Sequence, residues 1–332
     1  MIAQLDPLLL KTRLWKAWPR LLAYLLFEGR PLTTRGRWIN PLVMAGYRLW
    51  GALPLRPAPV RPIFILGTGR SGTTVLGRIL GAHREVGFLN EPKALWQAAT
   101  GEDDLIGSYS PHPGRFRMTA ADARAEVVTR LNRYYRAYLR LSGCRRVVDK
   151  YPELLFRTDL LDRAFPEARK IVLIRSGHDV CRSVAGWSRT HGRDGTGWWG
   201  RQGRKWHLLV DQLVRPDPAF ALLLPHLGEI CRQEDMAAVE WIVAMREVLR
   251  MQAMAEPRTL YVRYESLLRH PRREVRRMMD FCALAPDDKA LAYAARLLRA
   301  PGGAGTAPRL HPALRPLFED TMHRLGYAPA GP

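Results

Sequence analysis

IFILGTGRSGTT, residues 63–74, joins a short apolar run to a turn rich in glycine. An unbroken apolar run of this length is typical of a strand that is buried on both faces of a parallel sheet. The glycines of the turn allow the backbone to curl so that successive N–H groups point at one anion, and a following helix adds partial positive charge. The stretch therefore predicts a strand, a phosphate-binding loop and a helix, in that order.

Further apolar runs along the chain end in polar or charged residues, as the first one does. They are Val86–Leu89, Val147–Val148, Ile171–Ile174 and Leu260–Val262. Between the runs, apolar residues recur at helical spacing, as in Val75, Leu76, Ile79 and Leu80 and in Val275, Met278, Met279 and Cys282. Alternating strands and helices predict an α/β fold with a three-layer doubly wound parallel sheet. Ligands of such a fold bind at the carboxyl ends of the strands.

The glycine-rich turn differs from the loop of kinases and nucleotide hydrolases at one position. The spacing from Gly67 to Gly72 matches GxxxxGK[ST], but Thr73 stands where the lysine belongs. That lysine acts on the β- and γ-phosphates of a nucleotide triphosphate beside Mg²⁺. Here the cation of the loop is Arg70. The sequence thus indicates a loop that cradles a phosphate without γ-phosphate chemistry, and a P-loop kinase or nucleotide hydrolase is the alternative within the same fold.

Residues 62–96, with this loop at their centre, resemble the 5′-phosphosulfate-binding segment of sulfotransferases. The resemblance is to the carbohydrate and tyrosylprotein branches and their bacterial relatives. It implies transfer of a sulfuryl group from 3′-phosphoadenosine 5′-phosphosulfate to an acceptor hydroxyl, without a metal ion. The residues that it assigns to the 5′-phosphosulfate are Thr68, Gly69, Arg70, Ser71, Gly72, Thr73 and Thr74.

A second anion site is expected after the run that ends at Ile174. Arg175 ends this strand and Ser183 follows eight residues later on a helical stretch. Taken alone, the pair is equally well explained by a surface arginine and an ordinary helix residue. The pair resembles the 3′-phosphate motif of sulfotransferases, although residues 175–179 read RSGHD where the family often has an Arg-Asp-Pro-Arg-like turn. By the same resemblance Tyr264 contacts the nucleotide, Glu265 holds loops together, and Arg309 replaces the basic residues of a late cofactor loop.

Sulfuryl transfer needs a base for the acceptor hydroxyl and positive charge for the departing phosphate. Glu91 follows the second run, and its neighbour Pro92 places it on a loop at the crevice. Similarity to the family's Glu-Pro segment makes Glu91 the candidate base. Lys150 resembles the lysine of the family's Asp-Lys-x-Pro segment, which approaches the sulfonate, so Lys150 and Arg70 are the expected catalytic cations.

The segment around residues 191–207 is expected to lie near the site because it is rich in glycine and tryptophan. The candidates for acceptor contacts are Trp198, Trp199, His191 and His207. Aromatic faces stack on sugars, aryl rings or lipid tails, and core packing of the tryptophans is an equally good interpretation. The histidines rank below Glu91 as bases because neither follows a predicted strand.

The excess of basic over acidic residues bears on which molecules the protein binds. Lys plus Arg number 52 and Asp plus Glu 31, for a formal net charge of +21 over 332 residues. Such a balance favours anionic partners. A non-catalytic polyanion-binding protein is therefore a further alternative, but the sequence has no nucleic-acid motif or basic–aromatic interleaving, so nucleic acid is not expected. The expected acceptor is a small molecule, a glycan or a lipid-linked alcohol. Four scattered cysteines without a CxxC pair suit a reducing, cytoplasmic compartment.

The chain divides at a proline-rich linker, residues 54–62. Residues 1–60 are predicted to be an N-terminal helical, amphipathic extension, and residues 61–332 to be the sulfotransferase catalytic domain. The longest early apolar stretch, Leu21–Phe27, is far shorter than the roughly 20 residues of a membrane span. Packing of the extension against the catalytic domain is the first interpretation of its mixed basic and aromatic residues. Peripheral contact with the inner face of a membrane is the second.

Overall fold

A single sheet of parallel strands organises the part of the chain described by the computed structural model, residues 4–28, 40–52, 60–191, 197–256, 258–298 and 308–328. The strands are β1 (Ile63–Leu66), β2 (Val86–Asn90), β3 (Arg146–Lys150), β4 (Arg169–Ile174) and β5 (Thr259–Arg263). Within the described residues the sheet has five strands in the order β2-β3-β1-β4-β5. Ile65 pairs with Lys150 on one side and Ile171 on the other. Each predicted apolar run is thus a strand, and the α/β fold class is confirmed.

Helices cover both faces of the sheet. In chain order they are α1 (Pro7–Thr12), α2 (Ala17–Leu22), α3 (Asn40–Ala52), α4 (Thr73–Gly81), α5 (Lys93–Thr100), α6 (Ala125–Ser142), α7 (Thr158–Ala164), α8 (Gly177–His191), α9 (Arg204–Leu209), α10 (Gln233–Ala253), α11 (Tyr264–Arg269), α12 (Pro271–Phe281), α13 (Asp288–Leu297) and α14 (Arg315–Arg324). The two helical faces predicted from spacing lie on α4 and at α12, where they are largely buried.

Alternate residues of each central strand enter different cores. In β1, Ile63 and Ile65 pack with α4 and α12, whereas Phe64 and Leu66 pack with α6 and α10. All four side chains have no exposed surface. Since neighbouring side chains of a strand point to opposite faces, an unbroken apolar run is what a strand between two helical layers requires. The three-layer arrangement follows from that pattern.

The carboxyl ends of the strands meet at one edge of the sheet. The chain leaves β1 toward β2 and leaves β4 toward β5, which lie on opposite sides of β1 and β4. Connections that leave in opposite directions open a crevice between the loops, and in this fold class that crevice binds ligands. The loops after β1 and β4, which carry Arg70 and Arg175, border it.

The described N-terminal residues pack against the rest of the chain. Arg13 forms an ion pair of 2.6 Å with Asp287, and the ring of Tyr47 on α3 meets that of Tyr134 on α6 at 5.1 Å between centroids. The division of the chain near residue 60 stays a prediction, and residues 54–59 of the predicted linker lie outside the described residues.

Candidate functional site

The glycine-rich turn after β1 has the backbone of an anion cradle. Gly67 and Gly72 have φ of +140° and +98°, and α4 begins directly after Gly72. A Cβ at Gly67 would lie 2.6 Å from the carbonyl oxygen of Leu173, so β4 and the turn approach as closely as glycine permits. Arg70 itself has φ of +63°. The turn is therefore held in a conformation that ordinary residues rarely adopt, with its N–H groups at a helix N-terminus.

Thr68 supplies a test of whether the cradle suits an anionic ligand. Its side chain is buried, and among the described residues its Oγ1 has no hydrogen-bond partner. The neighbouring Ser71 Oγ, in contrast, donates to the carbonyl oxygen of Thr68 at 2.6 Å. A buried hydroxyl without a protein partner is costly unless a ligand or water meets it. The residues of the turn thus fit a phosphate or sulfonate group.

The two predicted anion sites are in direct contact. Arg70 Nε donates to Ser183 Oγ at 3.0 Å, and Arg175 Nη1 donates to the carbonyl oxygen of Arg70 at 3.0 Å. Burial lowers the pKa of the Arg70 guanidinium, and the charge of Arg175 lowers it further, while Glu91 raises it. Two guanidinium groups that repel each other at the edge of a cradle create a positive potential that an anion relieves.

Tyr264 and Glu265, which follow β5, close the far side of the same cluster. The Arg175 guanidinium lies 4.5 Å from the centroid of the Tyr264 ring. A Cβ at Gly72 would come within 2.3 Å of the Tyr264 ring, so that ring lies directly against the phosphate loop. Glu265 accepts hydrogen bonds of 3.0 Å from the Ser176 backbone and from the Tyr327 hydroxyl. Glu265 therefore ties the loop after β4 to the C-terminal segment, as expected from the sequence.

Glu91 and Lys150 form an ion pair at the carboxyl ends of β2 and β3. Lys150 Nζ lies 2.5 Å from Glu91 Oε1, and Lys93 Nζ lies 3.9 Å from Glu91 Oε2. The Lys150 side chain is 1% exposed and that of Glu91 26%. Glu91 has φ of +52°, and its N–H donates to the carbonyl oxygen of Lys150 at 2.7 Å. A carboxylate and an ammonium group thus meet where two paired parallel strands end.

The two adjacent tryptophans occupy different environments. A Cβ at Gly69 would lie 2.4 Å from the Trp198 ring, so Trp198 covers the phosphate loop. Trp199 is 6% exposed, donates to Gln233 at 3.0 Å and packs on Trp206, so its side chain belongs to the core. Of the two interpretations of Trp199, core packing is the one that its surroundings match.

A buried group of charged side chains lies beside Trp198. The apolar runs of the sequence do not predict it. Lys205 Nζ lies 2.6 Å from Glu240 and 3.1 Å from Glu153, and Glu240 also accepts from Trp198 Nε1 at 2.7 Å. The two carboxylates raise the pKa of Lys205 against the opposing effect of burial. The one local signal is the position of Glu153, in the turn directly after Lys150. Glu240 and Lys205, whose Nζ lies 5.0 Å from the centroid of the Trp198 ring, thus hold the tryptophan that covers the loop.

Of the remaining candidate residues, two are exposed and the side chain of the third lies outside the described residues. His207 is exposed and lines a cavity of about 740 Å³ with residues 107–111 and with Arg201 and Arg204. Arg309 is exposed, and its role at the nucleotide stays a prediction. The side chain of His191 lies outside the described residues. Across the described ranges, His, Cys, Asp and Glu form no group of three or more that could hold a metal ion.

Comparisons with known proteins agree with this architecture. The model of the sulfotransferase family matches residues 62–221, which include the phosphate loop, Glu91, Lys150, Arg175 and Ser183. The structure of the sulfotransferase STF9 from Mycobacterium avium aligns with a TM-score of 0.54 at 16% identity, over 100% of this chain and 99% of that one. It shares the fold.

Two curated proteins are similar in sequence. Nodulation protein NoeE of Sinorhizobium fredii is 28% identical over 231 residues, which cover 65% of this chain and 48% of that protein. An uncharacterized protein of Aquifex aeolicus is 25% identical over 247 residues, which cover 70% of this chain and 27% of that protein. The chain thus spans half or less of the length of these relatives.

Proposed function

The chain belongs to the sulfotransferase family, and on that premise we propose that it transfers the sulfuryl group of 3′-phosphoadenosine 5′-phosphosulfate to an acceptor hydroxyl. The observation that carries the proposal is the contact of Arg70 with both Ser183 and Arg175. It joins the cradle for the 5′-phosphosulfate to the predicted 3′-phosphate site, so that one nucleotide can engage both. The missing loop lysine, replaced by Thr73, counts against a kinase or nucleotide hydrolase.

Each residue of the site has a role in this reaction. The acceptor oxygen forms a bond to sulfur while the bond between sulfur and the 5′-phosphate oxygen breaks, leaving 3′-phosphoadenosine 5′-phosphate. Glu91 takes the proton of the acceptor hydroxyl. Lys150 and Arg70 neutralise the charge that develops on the departing phosphate, an effect typically worth about 10²- to 10³-fold in rate for each such donor. The reaction needs no metal ion.

The proposed acceptor is an alcohol of a carbohydrate, a glycolipid or another small molecule. Trp198 lies against the phosphate loop and could stack on the acceptor. His207 and the arginines of the neighbouring cavity, Arg201 and Arg204, could contact its polar groups. Transfer of labelled sulfate from the donor to host glycan and lipid extracts would identify the acceptor.

Thermal unfolding with added nucleotide tests the donor directly. A ligand that binds the folded state raises the unfolding temperature. We expect 3′-phosphoadenosine 5′-phosphate to stabilise the protein and ATP with Mg²⁺ to have little effect. Stabilisation by ATP–Mg²⁺ alone would favour the kinase or hydrolase, and stabilisation by heparin-like polyanions alone would favour a polyanion-binding protein.

A further inference from the structure

Residues 14–27 form a helical segment that buries its two charged side chains and exposes six large apolar ones, while Leu22, Ala23 and Phe27 are buried. The segment consists of a 3₁₀ turn (Leu14–Lys16), α2 and a π-helical turn (Ala23–Phe27). Lys16 and Arg20 are 1% and 4% exposed. The outward side chains are Leu14 (73% exposed), Trp15 (45%), Trp18 (58%), Leu21 (37%), Leu25 (51%) and Leu26 (45%). Large apolar side chains on the outer side are unusual for a surface helix, whose outer face is ordinarily polar.

The free edge of β2 explains the inward charges. Lys16 Nζ donates to the carbonyl oxygen of Val86 at 2.6 Å, and Arg20 donates to that of Phe88. Glu28 accepts from the Asn90 backbone at 2.7 Å. β2 is the outer strand of the sheet, and these side chains satisfy the backbone groups that a neighbouring strand would otherwise pair. Lys16 and Arg20 could satisfy this edge whatever side chains the segment carried on its outer side. The exposed apolar side chains therefore need a separate explanation.

Four of the six outward side chains recur at helical spacing, and the six together are called the stripe. Leu14, Trp18, Leu21 and Leu25 follow one another at spacings of four, three and four residues, which places them along one side of a helix. Trp18 Nε1 donates to the carbonyl oxygen of Leu141 at 2.9 Å, and Leu141 at the end of α6 is itself 39% exposed. Monomeric soluble proteins rarely expose large contiguous apolar patches, and those that do commonly use them for binding.

The charges around the stripe indicate the class of partner. Residues 7–27 contain no acidic residue, and the flanking acids, Asp6 and Glu28, are buried. Lys11 and Arg140 are exposed; Lys11 precedes the stripe in the chain, and Arg140 is the neighbour of Leu141, which accepts from Trp18. Exposed tryptophan and leucine bordered by cations are suited to the boundary between headgroups and acyl chains of an anionic bilayer. Across the described residues, the helices are too short or too polar to span a membrane.

We propose that the outward stripe of residues 14–26 docks the protein on the surface of an anionic lipid bilayer. The stripe lies in the plane of the interface, with its leucines and tryptophans between the headgroups. Lys11 and Arg140 then face anionic phosphates. This docking is independent of the chemistry at the phosphate loop, so its failure would leave the proposed sulfuryl transfer unaffected.

Sedimentation with vesicles tests the docking. The whole chain would be mixed with vesicles of phosphatidylcholine, with and without phosphatidylglycerol. We expect binding to the mixed vesicles that weakens with added salt, and a loss of about tenfold or more in partitioning for the variant Trp15→Gln/Trp18→Gln/Leu25→Gln. The matched control is Leu222→Gln/Met254→Gln, because these side chains are 88% and 58% exposed elsewhere on the surface. The control variant is expected to bind as the wild type does.

A second variant covers the case in which the loss of the Trp18 hydrogen bond disturbs folding. Leu25→Glu/Leu26→Glu keeps that hydrogen bond and places acidic groups on the stripe, so it should also lose vesicle binding while its unfolding temperature stays close to that of the wild type. Equal partitioning of the wild type and this variant would overturn the proposal. A wild type that binds neither kind of vesicle would overturn it as well, and if the same substitutions then dissociated a dimer, the stripe would be an interface between two copies of the chain.

Discussion

Arg70 Nε and Ser183 Oγ lie 3.0 Å apart, although the two residues are separated by 113 positions in the chain. Their contact joins the turn after β1 to α8, which follows β4. Because β1 and β4 are neighbours in the sheet, the two loops leave adjacent strand ends. A nucleotide with phosphates at both ends could therefore engage both loops.

Replacing Gly72 by alanine tests the close approach of Tyr264 to the phosphate loop. Both Gly72 and Gly143 have positive φ, +98° and +69°, so alanine at either position should cost about 1 kcal/mol of stability. A Cβ at Gly72 would also strike the Tyr264 ring, whereas a Cβ at Gly143 would meet nothing within 4 Å. Calorimetric titration should find weaker nucleotide binding for Gly72→Ala and unchanged binding for Gly143→Ala. Equal affinities of the two variants would contradict a working contact at Tyr264.

Glu91→Gln should keep nucleotide binding and lose catalysis. The amide preserves the shape of the side chain but takes up no proton, so kcat is expected to fall by about 10²- to 10⁴-fold. Steady-state transfer rates and the affinity for 3′-phosphoadenosine 5′-phosphate would be measured on the same preparation.

The matched control for this variant is Glu85→Gln. Both glutamates have side chains that are 26% exposed, and both are paired with a cation, but Glu85 precedes β2 and contacts Arg145. Its activity should remain that of the wild type. Full activity of Glu91→Gln would assign the base to another residue.

Lys205→Met should destabilise the protein because it leaves Glu153 and Glu240 buried without their cation. Removal of one partner from a buried ion pair typically costs about 3–5 kcal/mol. Urea unfolding would measure the loss, and Lys93→Met, in which the lysine is 21% exposed at a longer 3.9 Å contact, should cost much less. Similar stabilities of the two variants would show that the buried group contributes little.

Asp149 should make stability depend on pH. Burial raises the pKa of its carboxyl group to about 7 from the ordinary 3.8, although hydrogen bonds from Tyr135 and Trp96 oppose the rise. The folded state therefore retains a proton that the unfolded state releases, and this contribution to stability is lost as the pH rises from about 4 to about 7.

Unfolding free energies across that range would be compared for the wild type and Asp149→Asn. The variant has no proton to release at this position, so its profile should decline less steeply. Parallel profiles would place the pKa of Asp149 near its ordinary value.

The fold and the neighbourhood of the site could be predicted because they depend on local patterns. Glu91, Lys150 and Arg175 each end or follow an apolar run, and the carboxyl ends of parallel strands meet at one edge. Ser183 could be placed by helical spacing once Arg175 was assigned to a strand end. Their catalytic and binding roles stay predictions.

Features that depend on contacts between distant segments could not be predicted. Trp198 and Trp199 are adjacent and of the same type, yet one covers the loop and the other is buried, because α10 supplies a different partner to each. Lys16 and Arg20 are charged and buried, against the usual preference. Their burial depends on the open edge of β2, which the order of the strands, and not the local sequence, determines.

Calorimetric titration of Arg175→Ala with two nucleotides would test most directly whether one adenosine bisphosphate bridges the Arg70 and Arg175–Ser183 sites. The ligands are 3′-phosphoadenosine 5′-phosphate and adenosine 5′-phosphate, which lacks the 3′-phosphate. The control variant is Arg189→Ala, because Arg189 is a largely exposed arginine on the same helix as Ser183. Loss of a charge-assisted contact should weaken the bisphosphate by about 10- to 100-fold and leave the monophosphate nearly unchanged. Equal weakening of both ligands, or of neither, would contradict the assignment of the 3′-phosphate to Arg175.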